Sequence, residues 1–320
     1  SGRWVAAGNI DGAAGGEILT GAGEGERPQV RAFSGRGADL GLRFNAFEPA
    51  FRGGVRLAAC DIDNDGVDEI VAGQGPGGSA VKVFRVTGGV VTEVTGFLPF
   101  EAAFAGGVYV ACADLNGDGR DDVVTGAGPG RAPDVRVFSV SSAGAVALAS
   151  WTAYEPAFAG GVRVATGEYA GGVVAPFQVV TTPGPGRPVD LRVWTVGGGT
   201  ASAAGSALVL PVAYTGGALV AGGDVDGDGG LDLAIAPDGG APSLLKIFSM
   251  STMQWILDVA PGSAGFAGGL RLDIGSLEGG PGRAELLTGQ GPGGLPEVRV
   301  FQLGPGGGVE RVALVSLEAP

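Results

Sequence analysis

Short apolar runs recur along the chain at a period far longer than one strand or helix can generate. A strand of the type Val-Arg-Val-Ala begins near Arg3, Val55, Val108, Val162, Ala218 and Leu270, at spacings of 52, 53, 54, 56 and 52 residues. Six units of about 53 residues therefore fill the chain. Each unit predicts four short strands. The first is apolar, as in VRLAAC or VYVACA; an acidic loop follows, then a second strand ending in glycine, as in DEIVAGQGPGG or DDVVTGAGPG. The third reads Val-Arg-Val-Phe (Val30–Phe33, Val81–Phe84, Val135–Phe138, Leu191–Trp194, Leu245–Phe248, Val298–Phe301). The fourth is looser and runs into aromatic-Glu-Pro-Ala-Phe-x-Gly-Gly, clearest at Phe47–Gly54 and Tyr154–Gly161.

Four strands repeated six times predict an all-β chain, a six-bladed β-propeller with four antiparallel strands per blade. The expected blades of this single domain span residues 3–54, 55–107, 108–161, 162–217, 218–269 and 270–320. An aromatic closes the third strand in every unit, as packing of one blade face on the next requires. Two positions earlier stands a cation in every unit: Arg31, Lys82, Arg136, Arg192, Lys246 and Arg299. A structural pairing with a carboxylate is the favoured reading; a basic ring lining a ligand channel is the alternative.

Composition supports this picture. With 65 Gly and 20 Pro among 320 residues, long helices are excluded. The 45% hydrophobic and 17% charged content excludes a disordered chain. A net charge of −13 makes nucleic acid and anionic membranes poor partners. The chain has no His, which removes the commonest general base. The opening SGRWVAAG is no signal peptide, and Val193–Gly223, the longest uncharged stretch, is too rich in Gly to insert in a membrane.

Three of the acidic loops have the spacing of a hard-cation site. They are Asp61-x-Asp63-x-Asp65-Gly-Val67-x-Glu69, Asp114-x-Asn116-x-Asp118-Gly-Arg120-x-Asp122 and Asp224-x-Asp226-x-Asp228-Gly-Gly230-x-Asp232. Side-chain oxygens at positions 1, 3, 5 and 9, with the carbonyl of position 7 (Val67, Arg120, Gly230), supply the oxygen ligands that Ca²⁺ takes. An EF-hand is excluded, because its position 12 is held here by Ala72, Thr125 and Ile235, and strands rather than helices follow. Equivalent loops in unit 1 (Asn9, Asp11, Ala13, Glu17), unit 4 (Glu168, Ala170, Gly172, Pro176) and unit 6 (Ser276, Glu278, Gly280, Ala284) lack most ligands. About three Ca²⁺ are expected, in blades 2, 3 and 5.

These units resemble FG-GAP repeats, the Ca²⁺-binding blade motif of integrin α-subunit propellers and of bacterial VCBS-type surface proteins. Phe104-Ala-Gly-Gly followed by VYVACADLNGDGRDDVVTGAGPG carries the resemblance most fully. It is strong in units 2 and 3, moderate in 5 and weak in 1, 4 and 6. The resemblance implies Ca²⁺ between strands 1 and 2 and a role in adhesion or recognition. Two departures stand out: six units instead of the seven blades of integrin propellers, and an extra Gly-Pro-Gly after the second strand.

Alternating strand direction puts the metal loops on one face and the 2–3 and 4–1 loops on the other. Glu48, Glu101 and Glu155, with Glu318, form an expected half-ring of carboxylates there, near Phe47, Phe100 and Tyr154; loop 2–3 adds Glu24, Glu26, Arg27, Arg131 and Arg187. This ring binds a polar ligand on one reading. On the plainer one, each Glu accepts hydrogen bonds from the Gly-Gly backbone. Cys60 and Cys112 either meet across an interblade contact or, as favoured, remain small buried thiols. The expectation is a non-enzymatic, secreted or cell-surface, monomeric scaffold with an unknown protein or glycan partner. The alternatives are a lectin and, less favoured, a polysaccharide lyase, for which no cluster of catalytic groups stands out.

Overall fold

In the computed structural model, the described residues are 2–167, 178–242, 244–259, 266–278, 283–304 and 309–316. They form six four-stranded antiparallel sheets, each built from one contiguous stretch of chain. Blade 1 holds β1 (Arg3–Gly8), β2 (Glu17–Ala22), β3 (Gln29–Ser34) and β4 (Asp39–Asn45); blade 2 holds β5 (Val55–Cys60), β6 (Glu69–Gln74), β7 (Val81–Thr87) and β8 (Val90–Phe97). Blade 3 holds β9 (Val108–Ala113), β10 (Asp122–Ala127), β11 (Asp134–Ser141) and β12 (Gly144–Thr152); blade 4 holds β13 (Val162–Gly167), β14 (Gln178–Pro183), β15 (Asp190–Gly197) and β16 (Thr200–Leu208). Blade 5 holds β17 (Ala218–Gly223), β18 (Asp232–Pro237), β19 (Leu245–Ser249) and β20 (Gln254–Val259); blade 6 holds β21 (Leu270–Gly275), β22 (Glu285–Gln290), β23 (Glu297–Leu303) and β24 (Val309–Ser316). The expected six-bladed propeller is the fold.

Burial peaks at the second strand and falls toward the rim, and the residue types follow it. The second strands are buried end to end (β2, β10, β18 and β22), whereas the rim strand β16, TASAAGSAL, is almost wholly exposed. The innermost strands pack side by side around a central channel, and β1 meets β21. Val5, Ile18 and Phe33 of blade 1 close the ring by packing with Leu287, Val298, Val300 and Val315 of blade 6. Among the described residues no strand is exchanged between the first and last blades; side-chain packing joins them, together with the hydrogen bond from Ala7 N–H of β1 to Asp273 of β21 (2.7 Å).

The expected terminal aromatic lies inside each third strand, which runs on beyond it, and sits at a β-bulge where the register to the fourth strand shifts in all six blades. The bulge bends the sheet and turns the ring into the neighbouring blade. Phe84 meets Phe44 (centroids 4.8 Å apart), Phe138 meets Phe97 (4.9 Å) and Trp194 meets Trp151 (5.9 Å), each pair joining successive blades. The cations two positions earlier face acceptors: Arg31 bonds Asp39, Lys82 bonds Glu93, Lys246 bonds Asp258, and Arg136 bonds the Pro99 carbonyl of the preceding blade.

The Gly-Gly pair before the innermost strands of blades 2 to 6 has a steric cause. Its second residue pairs with the residue just after the second strand, as in Gly128 N–H to Gly107 O (2.8 Å) and Gly184 N–H to Gly161 O (2.9 Å). The two backbones approach so closely that a Cβ on Gly106 would lie 2.0 Å from the Pro129 carbonyl oxygen. Gly106→Ala is therefore expected to lower stability by about 1–3 kcal/mol. Urea unfolding of the variant beside the unsubstituted protein checks this.

The cysteines correct the favoured expectation of free thiols. Cys60 at the end of β5 and Cys112 near the end of β9 form a disulfide, with Cα atoms 5.7 Å apart at a sequence separation of 52. Neighbouring innermost strands bring them together with the Cβ atoms facing, a closeness that sequence distance conceals.

Candidate functional site

The acidic loops fold as nests of backbone donors around the first carboxylate. In blade 5, Asp224 accepts from Gly227 N–H (2.7 Å) and Gly229 N–H (2.9 Å); in blade 3, Asp114 accepts from Gly117 (2.7 Å), Asp118 (3.1 Å) and Gly119 (2.8 Å); in blade 2, Asp61 accepts from Asp65 (3.1 Å) and Gly66 (2.9 Å). Gly66, Gly119 and Gly229 have φ between 81° and 84°, which only glycine adopts without strain. Carboxylate oxygens of Asp61, Asp63 and Asp65 lie within 4.8 Å of one another, as do those of Asp224, Asp226 and Asp232. Asp63 Oδ1 and Asp232 Oδ1 are buried and have no hydrogen-bond donor. Such orphaned oxygens, crowded by like charge, fit a divalent cation with oxygen preference.

Position 9 has a second role. Its carboxylate is buried and accepts the N–H of position 2: Asp122 from Leu115 (3.2 Å), Asp232 from Val225 (3.0 Å), Glu69 from Ile62 (3.2 Å) and Glu17 from Ile10 (2.9 Å). Burial pushes Asp122 and Asp232 up to about 7. Unit 6 does the same with Glu285, which takes Leu277 N–H (2.8 Å). This corrects the placement of Ala284 at that position, because the loop is one residue longer. Among the positions expected in unit 4, Glu168, Ala170, Gly172 and Pro176 lie outside the described residues, and Gln178 begins β14 in the place of the carboxylate. The acid at this position holds the loop shape even in blades 1 and 6.

The three loops are not equivalent. In blade 2, Arg85 from β7 donates to Glu69 (2.7 Å) and pairs with Asp63, so a guanidinium already holds two of the expected ligands. The register partners of Asp122 and Asp232 are Ser139 and Ser249 instead. Position 8, which the spacing argument passed over, couples neighbouring loops. Asp121 of blade 3 bonds both backbone groups of Asp61 (N–H to Oδ2 3.2 Å; its own N–H to O 2.9 Å), and Asp68 does the same to Asn9 (both 2.7 Å).

On the opposite face the expected carboxylate ring is corrected. Glu101 pairs with Arg131 (2.7 Å) and Glu155 with Arg187, each joining successive blades. The arginines lie over aromatic pairs, Arg131 above Phe100 (4.5 Å) and Arg187 above Tyr154 (4.6 Å). These glutamates are thus spent on interblade ion pairs instead of forming a free half-ring, and the Gly-Gly backbone is not their partner. Glu48 is exposed, and Glu318 lies outside the described residues. Because the pairs are over half exposed on the carboxylate side, Glu101→Gln with Glu155→Gln is expected to shift stability by less than about 1 kcal/mol. A thermal melt of the double variant checks it.

The channel mouth on that same face carries a group of side chains that pattern reading missed. Trp4, Arg56, Tyr109, Arg163 and Arg271 stand second in their innermost strands, where blade 5 has Leu219. Asp238, just beyond β18, bonds Arg163 and Arg271 (2.9 Å). Burial alone would raise its carboxyl, but Arg163, Arg271 and Arg56 together hold it at about 2. The signal was departure from the repeat: the same place in the other five blades holds Gly23, Gly75, Gly128, Gly184 and Gly291. Asp273 likewise replaces an alanine of the sister blades, and burial pushes it up to about 7.

Residues 61–125, from the blade 2 metal loop into β10, match the FG-GAP-like repeat family. No match was found among curated proteins. Among solved structures, a protein from Lactobacillus plantarum is similar at 13% identity and a TM-score of 0.57, covering 98% of this chain and 85% of that one. A putative 6-phosphogluconolactonase from Bacteroides fragilis is similar at 11% identity and a TM-score of 0.53, covering 95% and 82%. Sqt1 from Chaetomium thermophilum, bound to the N-terminus of a ribosomal protein, is similar at 15% identity and a TM-score of 0.52, covering 98% and 74%. The expectation of a non-enzymatic chain is corrected: a propeller of this shape in Bacteroides is a putative 6-phosphogluconolactonase, so the architecture does not exclude an enzyme. At such identities each likeness shows the fold alone. The chain is a six-bladed β-propeller that carries an FG-GAP-like repeat at residues 61–125.

Proposed function

We propose that this propeller is a calcium-binding module that works outside the cytosol in adhesion or recognition. The observation that carries the metal reading is the pair of buried, donorless carboxylate oxygens, Asp63 Oδ1 and Asp232 Oδ1, within tight carboxylate groups. Asp224, Asp226, Asp228 and Asp232 with the Gly230 carbonyl would hold one ion, and Asp114, Asn116, Asp118 and Asp122 with the Arg120 carbonyl a second. Asp61, Asp63, Asp65 and Glu69 with the Val67 carbonyl would hold the third, against competition from Arg85. Each ion would neutralise carboxylates that otherwise repel and would stiffen a loop between two buried strands. The Cys60–Cys112 disulfide favours an oxidising compartment.

The face of the 4–1 and 2–3 loops is the partner surface in this reading, because the metal loops rigidify the propeller from the far side. Protein-coated beads are expected to adhere to members of a panel of extracellular proteins and glycans in calcium, and to detach in chelator. Adhesion indifferent to chelator, or none across the panel, would contradict the proposal.

A further inference from the structure

The central channel holds a cavity of about 340 Å³, lined among others by Trp4, Arg56, Tyr109, Arg163 and Asp273. Its mouth concentrates positive charge in a chain whose net charge is −13. Three guanidinium groups, Arg56, Arg163 and Arg271, surround one carboxylate, Asp238, which leaves a formal surplus of two positive charges. Arg56 and Arg163 are only 4% and 3% exposed. Burying like charges together is costly unless anions or hydrogen bonds compensate.

The compensation within the chain is incomplete. Arg56 forms no ion pair among the described residues; its Nε and Nη1 have no hydrogen-bond partner, and neither does Nε of Arg163. The Arg56 guanidinium rests instead over Tyr109, 3.6 Å from the ring centroid, and Trp4 lies between it and Arg271 (5.3 and 4.5 Å). These rings hold the planar groups in place without consuming their donors. Orphaned, fixed guanidinium donors in a cavity are a receptor for oxyanions, which accept in-plane pairs of N–H bonds. The size of the charge surplus selects a ligand with two negative charges.

The carboxyls of Asp273 and Asp121 line the same cavity nearer the metal loops, so they confine an anion to the arginine end. Arg56, Arg163 and Arg271 share the second position of their innermost strands, whereas Asp238 stands where the other five blades have glycine. Blade 5, which has Leu219 where other blades carry Arg, Trp or Tyr, supplies the carboxylate.

We propose that the channel mouth binds a small dianion, a dicarboxylate or a phosphate-type oxyanion, through Arg56 and Arg163, with Asp238 and Arg271 setting the geometry. Sulfate and succinate are suitable probes, because both leave calcium in solution. Calorimetric titration of each into calcium-loaded protein at fixed ionic strength is expected to show one site per chain. Sulfate alone would assign a phosphoryl-type ligand and succinate alone a dicarboxylate; heat from neither overturns the proposal. Arg56→Gln is expected to weaken binding at least about tenfold. Asp238→Asn removes the internal competitor and is expected to tighten it about tenfold, a sign that mere structural damage does not give. Unchanged affinity in Arg56→Gln, or weaker binding in Asp238→Asn, overturns the assignment. Where a variant melts early, the anion-dependent rise of its melting temperature reads the same quantity.

Discussion

Calcium added to metal-stripped protein is expected to raise the melting temperature by about 10–20 °C. Each site at a hundredfold excess over its dissociation constant adds about 2.7 kcal/mol, and a chain of this length gains about 2 °C per kcal/mol. Much of this gain comes from relieving crowded carboxylates: three loops hold 13 acidic residues, so three ions bring the formal charge from −13 to about −7. The sites should not fill together. Blades 3 and 5 present a serine beside position 9, whereas blade 2 presents Arg85 on Glu69 and Asp63. Calorimetry is thus expected to resolve two tight sites and one weaker, and Arg85→Ser to bring the third toward the others. Three equal sites, unaffected by that substitution, would show that Arg85 does not compete.

The second large effect is expected from the disulfide. Replacing both Cys60 and Cys112 by Ala should lower stability by about 2–4 kcal/mol, because the bond closes a loop of 52 residues in the unfolded chain. It also joins β5 to β9 just before the first two metal loops, which Asp121 already couples through the backbone of Asp61. The double variant is therefore expected to bind calcium more weakly in blades 2 and 3 than in blade 5. Reductant should move the melting temperature of the unsubstituted protein toward that of the variant and leave the variant unmoved. Equal melting temperatures with and without reductant would show that the bond contributes nothing.

The repeat was legible because its constraints act identically in six places. The aromatic at the bulge, the Gly-Gly forced by the Pro129-type carbonyl, and the Asp-x-Asp-x-Asp-Gly turn each answer a local steric or electrostatic demand, and each recurs at a fixed spacing. What the sequence concealed is what depends on neighbouring blades. Cys60 and Cys112 lie 52 residues apart and meet only because β5 and β9 are adjacent. Glu101 and Glu155 look free until the next blade places Arg131 and Arg187 beside them. The channel mouth was missed for a further reason. Averaging over units emphasises shared positions, whereas Asp238 and Asp273 matter because they differ from their counterparts. In a ring of repeats the scaffold is written in what the blades share, and a site on the axis in what they do not.

The central claim, that Asp-rich loops of alternate character hold calcium, is tested most directly by locating the ions. Crystals grown with calcium, with data collected at long wavelength, should give anomalous difference peaks in the loops of blades 2, 3 and 5, with oxygen ligands at about 2.3–2.6 Å. The blade 2 peak should be the weakest, beside a displaced Arg85. Loops without peaks in crystals saturated with calcium, with Asp63 Oδ1 and Asp232 Oδ1 still without a partner, would contradict the account.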